Sequence, residues 1–332
     1  MKQVLLIHTG GTFGMLPEKP KRTLNKDELE KQVLHYIPEI KELAEVKFEM
    51  LFNMDSSNIQ IEHWQQIAQE IFDKIDEYDG FVVVHGTDSM VYTASALSFM
   101  LKNLPKPVIL TGAVRPLAEI RTDARNNLLN AIDFATKPIP EVCIFFGSKL
   151  FRGNRTVKIS NTKYYAFDSP NFPSLAEVGS EVRLHDYHFQ SREGFQIEKC
   201  FSDQVLVVRF FPGLNPDYLD WIIKTPAQAV VLEALGYGNI AIQEKSLVGL
   251  ISKISDKGKL VLVTSQSTQS VVDLDQYENG FLIKKAGAIG AGDMTNEATI
   301  VKLMNLLGCY SDNMGKIKEL MPKSLAGEVT EK

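Results

Sequence analysis

Short apolar runs alternate with longer amphipathic segments over the first half of the chain, the pattern of parallel strands joined by crossover helices. The runs are VLLI (4–7), VKFEMLF (46–52), FVVV (81–84), VIL (108–110) and VCIFF (142–146). Between them, residues 61–78 place Ile61, Trp64, Ile67, Ile71 and Ile75 three and four apart, which predicts a helix covering one face of a sheet. Residues 89–103 and 124–135 read the same way, with Asp88 and Asp123 where an N-cap carboxylate would stand. From about residue 190 a polar stretch intervenes, and a second alternation follows: VLVVRF (205–210), AVVLEAL (229–235) and LVLVT (260–264), with helices expected over 217–224, 244–255 and 296–307. The fold class is therefore α/β. A larger N-terminal, doubly wound, Rossmann-like domain with a mostly parallel sheet is expected over 1–189, a linker over 190–204, and a smaller three-layer α/β domain over 205–332.

Composition narrows the partners. A chain of 332 residues, 44% hydrophobic, is long enough for two cores, and a net charge of −5 leaves no cation excess for phosphates. Nucleic acid and membrane surfaces are not expected partners, and no apolar run approaches a membrane span or a signal-peptide core. Cys143, Cys200 and Cys309 lie far apart, and their odd number argues against a disulfide framework. A reducing, cytoplasmic setting is expected.

Ligands of an open parallel sheet collect beyond the carboxyl ends of its strands, so the residues after each run carry the chemical information. These are His8-Thr9-Gly10-Gly11-Thr12-Phe13-Gly14, then Asp55-Ser56-Ser57-Asn58, then His85-Gly86-Thr87-Asp88-Ser89, then Thr111-Gly112-Ala113. All four are rich in hydroxyls and small residues, and they should converge on one crevice. A dinucleotide fingerprint is a poor match, because a loop (15–26) separates the glycines from any helix and Asp55 comes too late for a ribose acid. No phosphate-loop motif and no G-x-S-x-G elbow is present, so the remaining enzymatic reading is a hydroxyl nucleophile with its own activating group. His8 and His85 suit structural roles at strand ends better than that of a base.

HTGGTFGM (8–15), HGTDSM (85–90), SALSFML (95–101) and LFRGNRTVK (150–158), in that order, resemble the bacterial-type L-asparaginases, in particular the cytoplasmic type I branch. GYGN (236–239) and AGAIGAGDMTNEAT (286–299) resemble the family's smaller domain, so the likeness runs from the first strand to about residue 308. The resemblance implies that Thr12 is the nucleophile on the side-chain amide of asparagine, with an acyl-enzyme intermediate. It implies that Thr87, Asp88 and Lys158 form a second catalytic triad, Lys158 held neutral or sharing a proton with Asp88. Asp55, Ser56 and Ser57, with Thr87 and Asp88, would bind the amino-acid end of the substrate.

The family's shared active sites further suggest a dimer or tetramer in which Asn239, Asp273 and Tyr277 serve a neighbouring subunit. No cofactor and no metal is implied. The family's usual tyrosine on the loop after the first glycine turn is missing from residues 15–35, and Arg22 or Thr23 takes its place. Two alternatives stand beside this reading. One is the amidase subunit of a glutamyl-tRNA amidotransferase, whose family carries an added N-terminal domain where this chain has seven residues ahead of His8. The other is a non-catalytic amino-acid-binding protein. Asparagine and glutamine differ by one methylene, worth only ~1–3 kcal/mol, so their ranking is left open.

Overall fold

The computed structural model describes residues 1–16, 23–185 and 194–331. The chain divides into two compact units, Met1–Glu198 and Lys199–Lys332.

In the first unit, β1 (Gln3–Gly10), β2 (Glu45–Met54), β3 (Gly80–Val84), β4 (Val108–Thr111) and β5 (Val142–Phe146) run parallel in the order β2-β1-β3-β4-β5. Three antiparallel strands, β6 (Lys149–Arg152), β7 (Ala176–Val178) and β8 (Val182–Leu184), extend the sheet beyond β5. β3 and β5 are buried along their whole length, as continuous apolar runs covered on both faces must be. The strand order reverses between β1 and β3. In a doubly wound sheet that reversal opens a crevice at the carboxyl ends of those two strands.

The helices follow the hydrophobic periodicity, with shifted ends. α1 (Lys26–Tyr36) was not anticipated, although Asn25 and Glu28 cap it reciprocally: each side chain accepts from the other residue's backbone N–H. α2 (Ile61–Asp73) buries Trp64, Ile67, Ala68 and Ile71, as the spacing predicts. It stops short of residue 78, and the Lys106 ammonium takes the carbonyls of Ile75 and Tyr78 beyond its end. α3 (Met90–Met100) is followed by Leu101–Lys102, which pairs antiparallel with Gln196–Ile197, so part of the expected linker packs on the first unit. α4 (Ala124–Ala135) packs on β3, β4 and β5.

Neither predicted carboxylate cap forms. Ser89 stands at the N-cap of α3, and Asp88 is drawn away to Lys158. Asp123 does occupy the N-cap position of α4, but its carboxylate accepts from the backbone N–H groups of Val114 and Arg115 and from Asn127. It therefore ties down the loop after β4 instead of the helix.

The second unit has four parallel strands in sequential order: β9 (Val205–Arg209), β10 (Ala229–Ala234), β11 (Leu260–Ser265) and β12 (Ala288–Gly290). Alternation along β10 and β11 splits their side chains between two cores. Val230, Leu232, Val261 and Val263 join α5 (Val248–Asp256) and α6 (Glu278–Lys285), while Ala229, Val231, Leu260 and Leu262 join α7 (Asn296–Cys309) and α8 (Met314–Leu320). This is the expected three-layer arrangement. Residues 216–224 form a 3₁₀ helix instead of an α-helix, with Asn215 capping Asp217 N–H and Ile222 as its buried anchor.

Two features hold the end of this unit. The Lys302 ammonium, with no exposure, pairs with the equally buried Glu328 at 2.6 Å and donates to the carbonyls of Met321 and Lys323. Cys200 and Cys309 are joined in a disulfide, their Cα atoms 5.2 Å apart. This corrects the expectation drawn from the odd cysteine count. The pair is separated by 109 residues and is brought together only when α7 lies against the approach to β9; Cys143 alone is a free thiol.

Candidate active site

The four strand-end turns predicted to carry chemistry meet, and glycines are what let them. β1 ends in Gly10 (φ +115) and Gly11 (φ +84), conformations that exclude ordinary side chains. Space excludes them too. A Cβ on Gly10 would lie 2.1 Å from the Met54 carbonyl, and one on Gly11 only 2.5 Å from the Gly86 Cα. A Cβ on Gly86 would in turn fall 2.6 Å from Ser56 Oγ, and one on Gly112 2.3 Å from the His85 carbonyl. The turns after β1, β3 and β4 thus stack backbone against backbone, with the Ser56 side chain of the β2 turn against Gly86. Gly11 N–H donates to Met54 O and Ser89 Oγ to Ser56 O, which ties three of them together.

Thr12 opens a short 3₁₀ turn (Thr12–Gly14) immediately beyond that contact and is half-buried. Phe13, fully buried, anchors the turn, and its carbonyl accepts from Leu117 N–H. On the other side of the contact stands Thr87. Its Oγ1 accepts from Lys158 Nζ at 2.8 Å, and the same ammonium reaches Asp88 Oδ1 at 2.5 Å. Lys158 is mostly buried and Asp88 mostly exposed, so the pair has one foot in solvent. Because Thr87 accepts from the lysine, its own hydroxyl proton is free to be donated elsewhere.

Lys158 is delivered by a rigid segment. Arg152 makes a buried two-pronged ion pair with Glu141 at 2.7 and 2.9 Å and lies 4.4 Å from the centre of the Phe172 ring. Thr156 Oγ1 donates to the Arg152 carbonyl, closing the Gly153–Arg155 turn. The strand Val157–Lys158 then pairs with Phe167–Asp168, which fixes the height of the lysine.

Asp55 accepts from both the backbone N–H and the hydroxyl of Ser57, at 2.8 and 2.6 Å on the same oxygen. The Ser57 hydroxyl, followed by its backbone N–H, holds this carboxyl below the usual aspartate range. Ser57 therefore spends its proton on Asp55, and Ser56 is buried against Gly86. Asp55 is exposed and is the anionic feature of this turn.

Both strand-end histidines are structural, and in different ways. His85 Nδ1 meets the Gly86 carbonyl at 2.7 Å and Nε2 meets Thr93 Oγ1 at 3.0 Å, while Thr93 accepts from Trp64 Nε1. This chain was not visible in sequence, since its members come from three elements. His8 lies beneath Gly14 beside Asn53, with no aligned hydrogen bond among the described residues. Burial lowers both histidines to a pKa of about 4, so both are neutral at pH 7.

Asn239, Asp273 and Tyr277 all belong to the second unit and gather at the carboxyl ends of β10 and β11. Asn239 closes the GYGN turn by pairing its backbone with Leu235, and the Tyr237 and Tyr277 rings lie 5.8 Å apart, both about half exposed. Asp273 Oδ1 accepts from Asp275 N–H. Of the two replacements considered for the missing loop tyrosine, Arg22 lies outside the described residues, and Thr23 pairs with Met15 at the base of that loop.

A threonine-bearing glycine turn beside a lysine-held threonine, at the reversal of a doubly wound sheet with a second parallel-sheet unit following, defines a class of two-domain α/β proteins with hydroxyl groups gathered at one strand-end crevice. Known proteins say which. The profile described as "Asparaginase, N-terminal" matches residues 3–190, and "Glutaminase/Asparaginase C-terminal domain" matches residues 204–321. L-asparaginase 1 of Escherichia coli K12 is 40% identical over 99% of this chain and 98% of its own length. The thermostable L-asparaginase of Thermococcus kodakarensis superimposes with a TM-score of 0.91 at 35% identity, covering 99% of this chain and all of its own. L-asparaginase I of Vibrio cholerae does so with a TM-score of 0.90 at 35% identity, covering 99% of each chain. The chain belongs to the asparaginase family, in its type I branch.

Proposed function

We propose that this protein hydrolyses the side-chain amide of L-asparagine to L-aspartate and ammonia, with Thr12 as the nucleophile. The observation that carries the reading is the Lys158–Thr87–Asp88 constellation set one glycine contact from Thr12. Two hydroxyls in adjacent turns, one of them gripped by a lysine, exceed what binding an amino acid requires.

In this mechanism the Thr12 Oγ–carbon bond forms as the amide carbonyl becomes an oxyanion, which backbone N–H groups of the glycine turns receive. The carbon–nitrogen bond then breaks and the leaving nitrogen departs as ammonia after taking a proton. Water attacks the resulting ester and restores the Thr12 hydroxyl. Lys158, sharing a proton with Asp88, takes through Thr87 the proton that Thr12 loses on attack and returns it to the leaving nitrogen, and the same route takes a proton from the attacking water and gives it back to Thr12 Oγ. Asp55, oriented by Ser57, and Asp88 take the substrate α-ammonium, and the Ser56 hydroxyl with neighbouring backbone N–H groups takes its α-carboxylate. The catalytic turns lie in the domain assigned to 1–189, with 190–204 as linker and 205–332 as the second domain. We further propose a cytoplasmic setting, after the type I branch, and self-association in which Asn239, Asp273 and Tyr277 serve a neighbouring copy.

Ammonia release from L-asparagine, L-glutamine and D-asparagine tests the reading. Turnover is expected with L-asparagine foremost, and silence with all three amides overturns it.

A further inference from the structure

We infer that Cys200 and Cys309 form a reversible thiol–disulfide site that sets the stability of the second unit by redox state while leaving its fold unchanged. The two half-buried cysteines sit at the two ends of that unit's architecture, one on the approach to β9 and the other at the last residue of α7. The bond therefore closes a loop that contains all four strands of the sheet, and a loop of that length restricts the unfolded chain strongly.

The contact that brings the thiols together does not depend on the bond. Ser202 N–H donates to the Met304 carbonyl at 2.9 Å, and Asn305 Nδ2 donates to the Cys200 carbonyl at 3.1 Å. Gly308 is the seat. A Cβ there would lie 2.4–2.6 Å from the backbone of Phe201, so only glycine lets this segment lie directly on the helix. With the bond reduced, these interactions still keep the two thiols adjacent. Closure is then nearly intramolecular and needs no refolding, which favours ready exchange in both directions.

The exchange balances simply. In the oxidising direction the two thiols lose two protons and two electrons to a disulfide such as oxidised glutathione, which leaves as two thiols. A small dithiol reverses it and is itself oxidised to a cyclic disulfide. Cys143 supplies an internal control, because it is wholly buried in the first unit and burial pushes its thiol up, out of reach of either reagent in the folded chain.

The test uses the full-length enzyme equilibrated with oxidised glutathione or with dithiothreitol, then alkylated under denaturing conditions and weighed. One alkylated cysteine is expected after oxidation and three after reduction, with reduction lowering the melting temperature by roughly 5–15 °C. Cys200→Ser and Cys309→Ser should melt at the lower temperature in both conditions. Ammonia release at 25 °C should be the same in both redox states, a readout separate from whether the catalytic assignment holds. Three alkylated cysteines after oxidation, a glutathione adduct in place of the bond, a disulfide-linked dimer, or equal melting temperatures of oxidised and reduced wild type would each overturn the inference.

Discussion

The two units place glycine turns after parallel strands in the same way and use them for different ends. After β1 and β3, Gly11 and Gly86 are pressed backbone to backbone, and the residues that follow them are threonines. After β10, Gly238 is equally strained at φ +106, but the space its missing side chain leaves is filled by the aliphatic groups of Leu274, Val272 and Val263. One glycine contact aligns two hydroxyl-bearing turns, while the other only lets a surface turn sit on a core. A strand-end glycine thus signals chemistry when its neighbour is another backbone and the next residue is reactive. Against side chains it signals packing.

That contrast can be broken by substitution, and the largest effect should come from the group that serves the first pair of turns. Lys158→Met should lower kcat by roughly 10²–10⁴-fold with the fold intact by circular dichroism, since it removes the hydrogen bond that orients Thr87. A loss under tenfold would make Lys158 a bystander. Gly11→Ala should cost roughly 2–5 kcal/mol in denaturant unfolding and most of the activity, because the new Cβ meets the Gly86 backbone. Gly238→Ala faces the same φ penalty but should leave kcat within about twofold, its neighbours being side-chain methyls.

Acid should separate the units as well. All six histidines precede residue 199, and burial holds His8 and His85 at a pKa of about 4. The unfolded chain takes up protons first as pH falls, so this contribution is complete above about 6.5 and is lost between 6.5 and 4. The loss amounts to up to about 3 kcal/mol for each histidine. Unfolding followed by site-specific probes should show the first unit weakening over that window. If both units weaken together, the histidines are not the cause. Tyr277→Phe should lower kcat/KM by about two- to fivefold, the worth of one hydrogen bond. Unchanged kinetics would remove Tyr277 from the site.

The fold was largely legible because the central strands of both sheets are buried on two faces and read as uninterrupted apolar runs. Helix cores were legible where one face repeats, as in α2. Long-range placement was not. Asp88 and Asp123 occupy N-cap positions by spacing, yet Lys158 is 70 residues from one and the loop after β4 competes for the other, and these distant partners win. The helix α1 begins where the loop read over 15–26 ends and was assigned no range, despite the capping signal at Asn25. The disulfide was hidden for the same reason as the His85–Thr93–Trp64 chain, since nothing local marks residues that meet only through the tertiary fold. Candidate site residues were legible by their position after strands and by family resemblance, whereas the engagement of Ser57 with Asp55 required the structure.

The central claim is that the turn after β1 exists to present Thr12 to an amide. Ammonia release from L-asparagine by Thr12→Ala, measured beside wild type of equal circular dichroism, tests it most directly. A fall on the order of 10³-fold or more is expected for loss of a nucleophile. Release close to the wild-type rate would contradict the assignment and move the reaction to another hydroxyl.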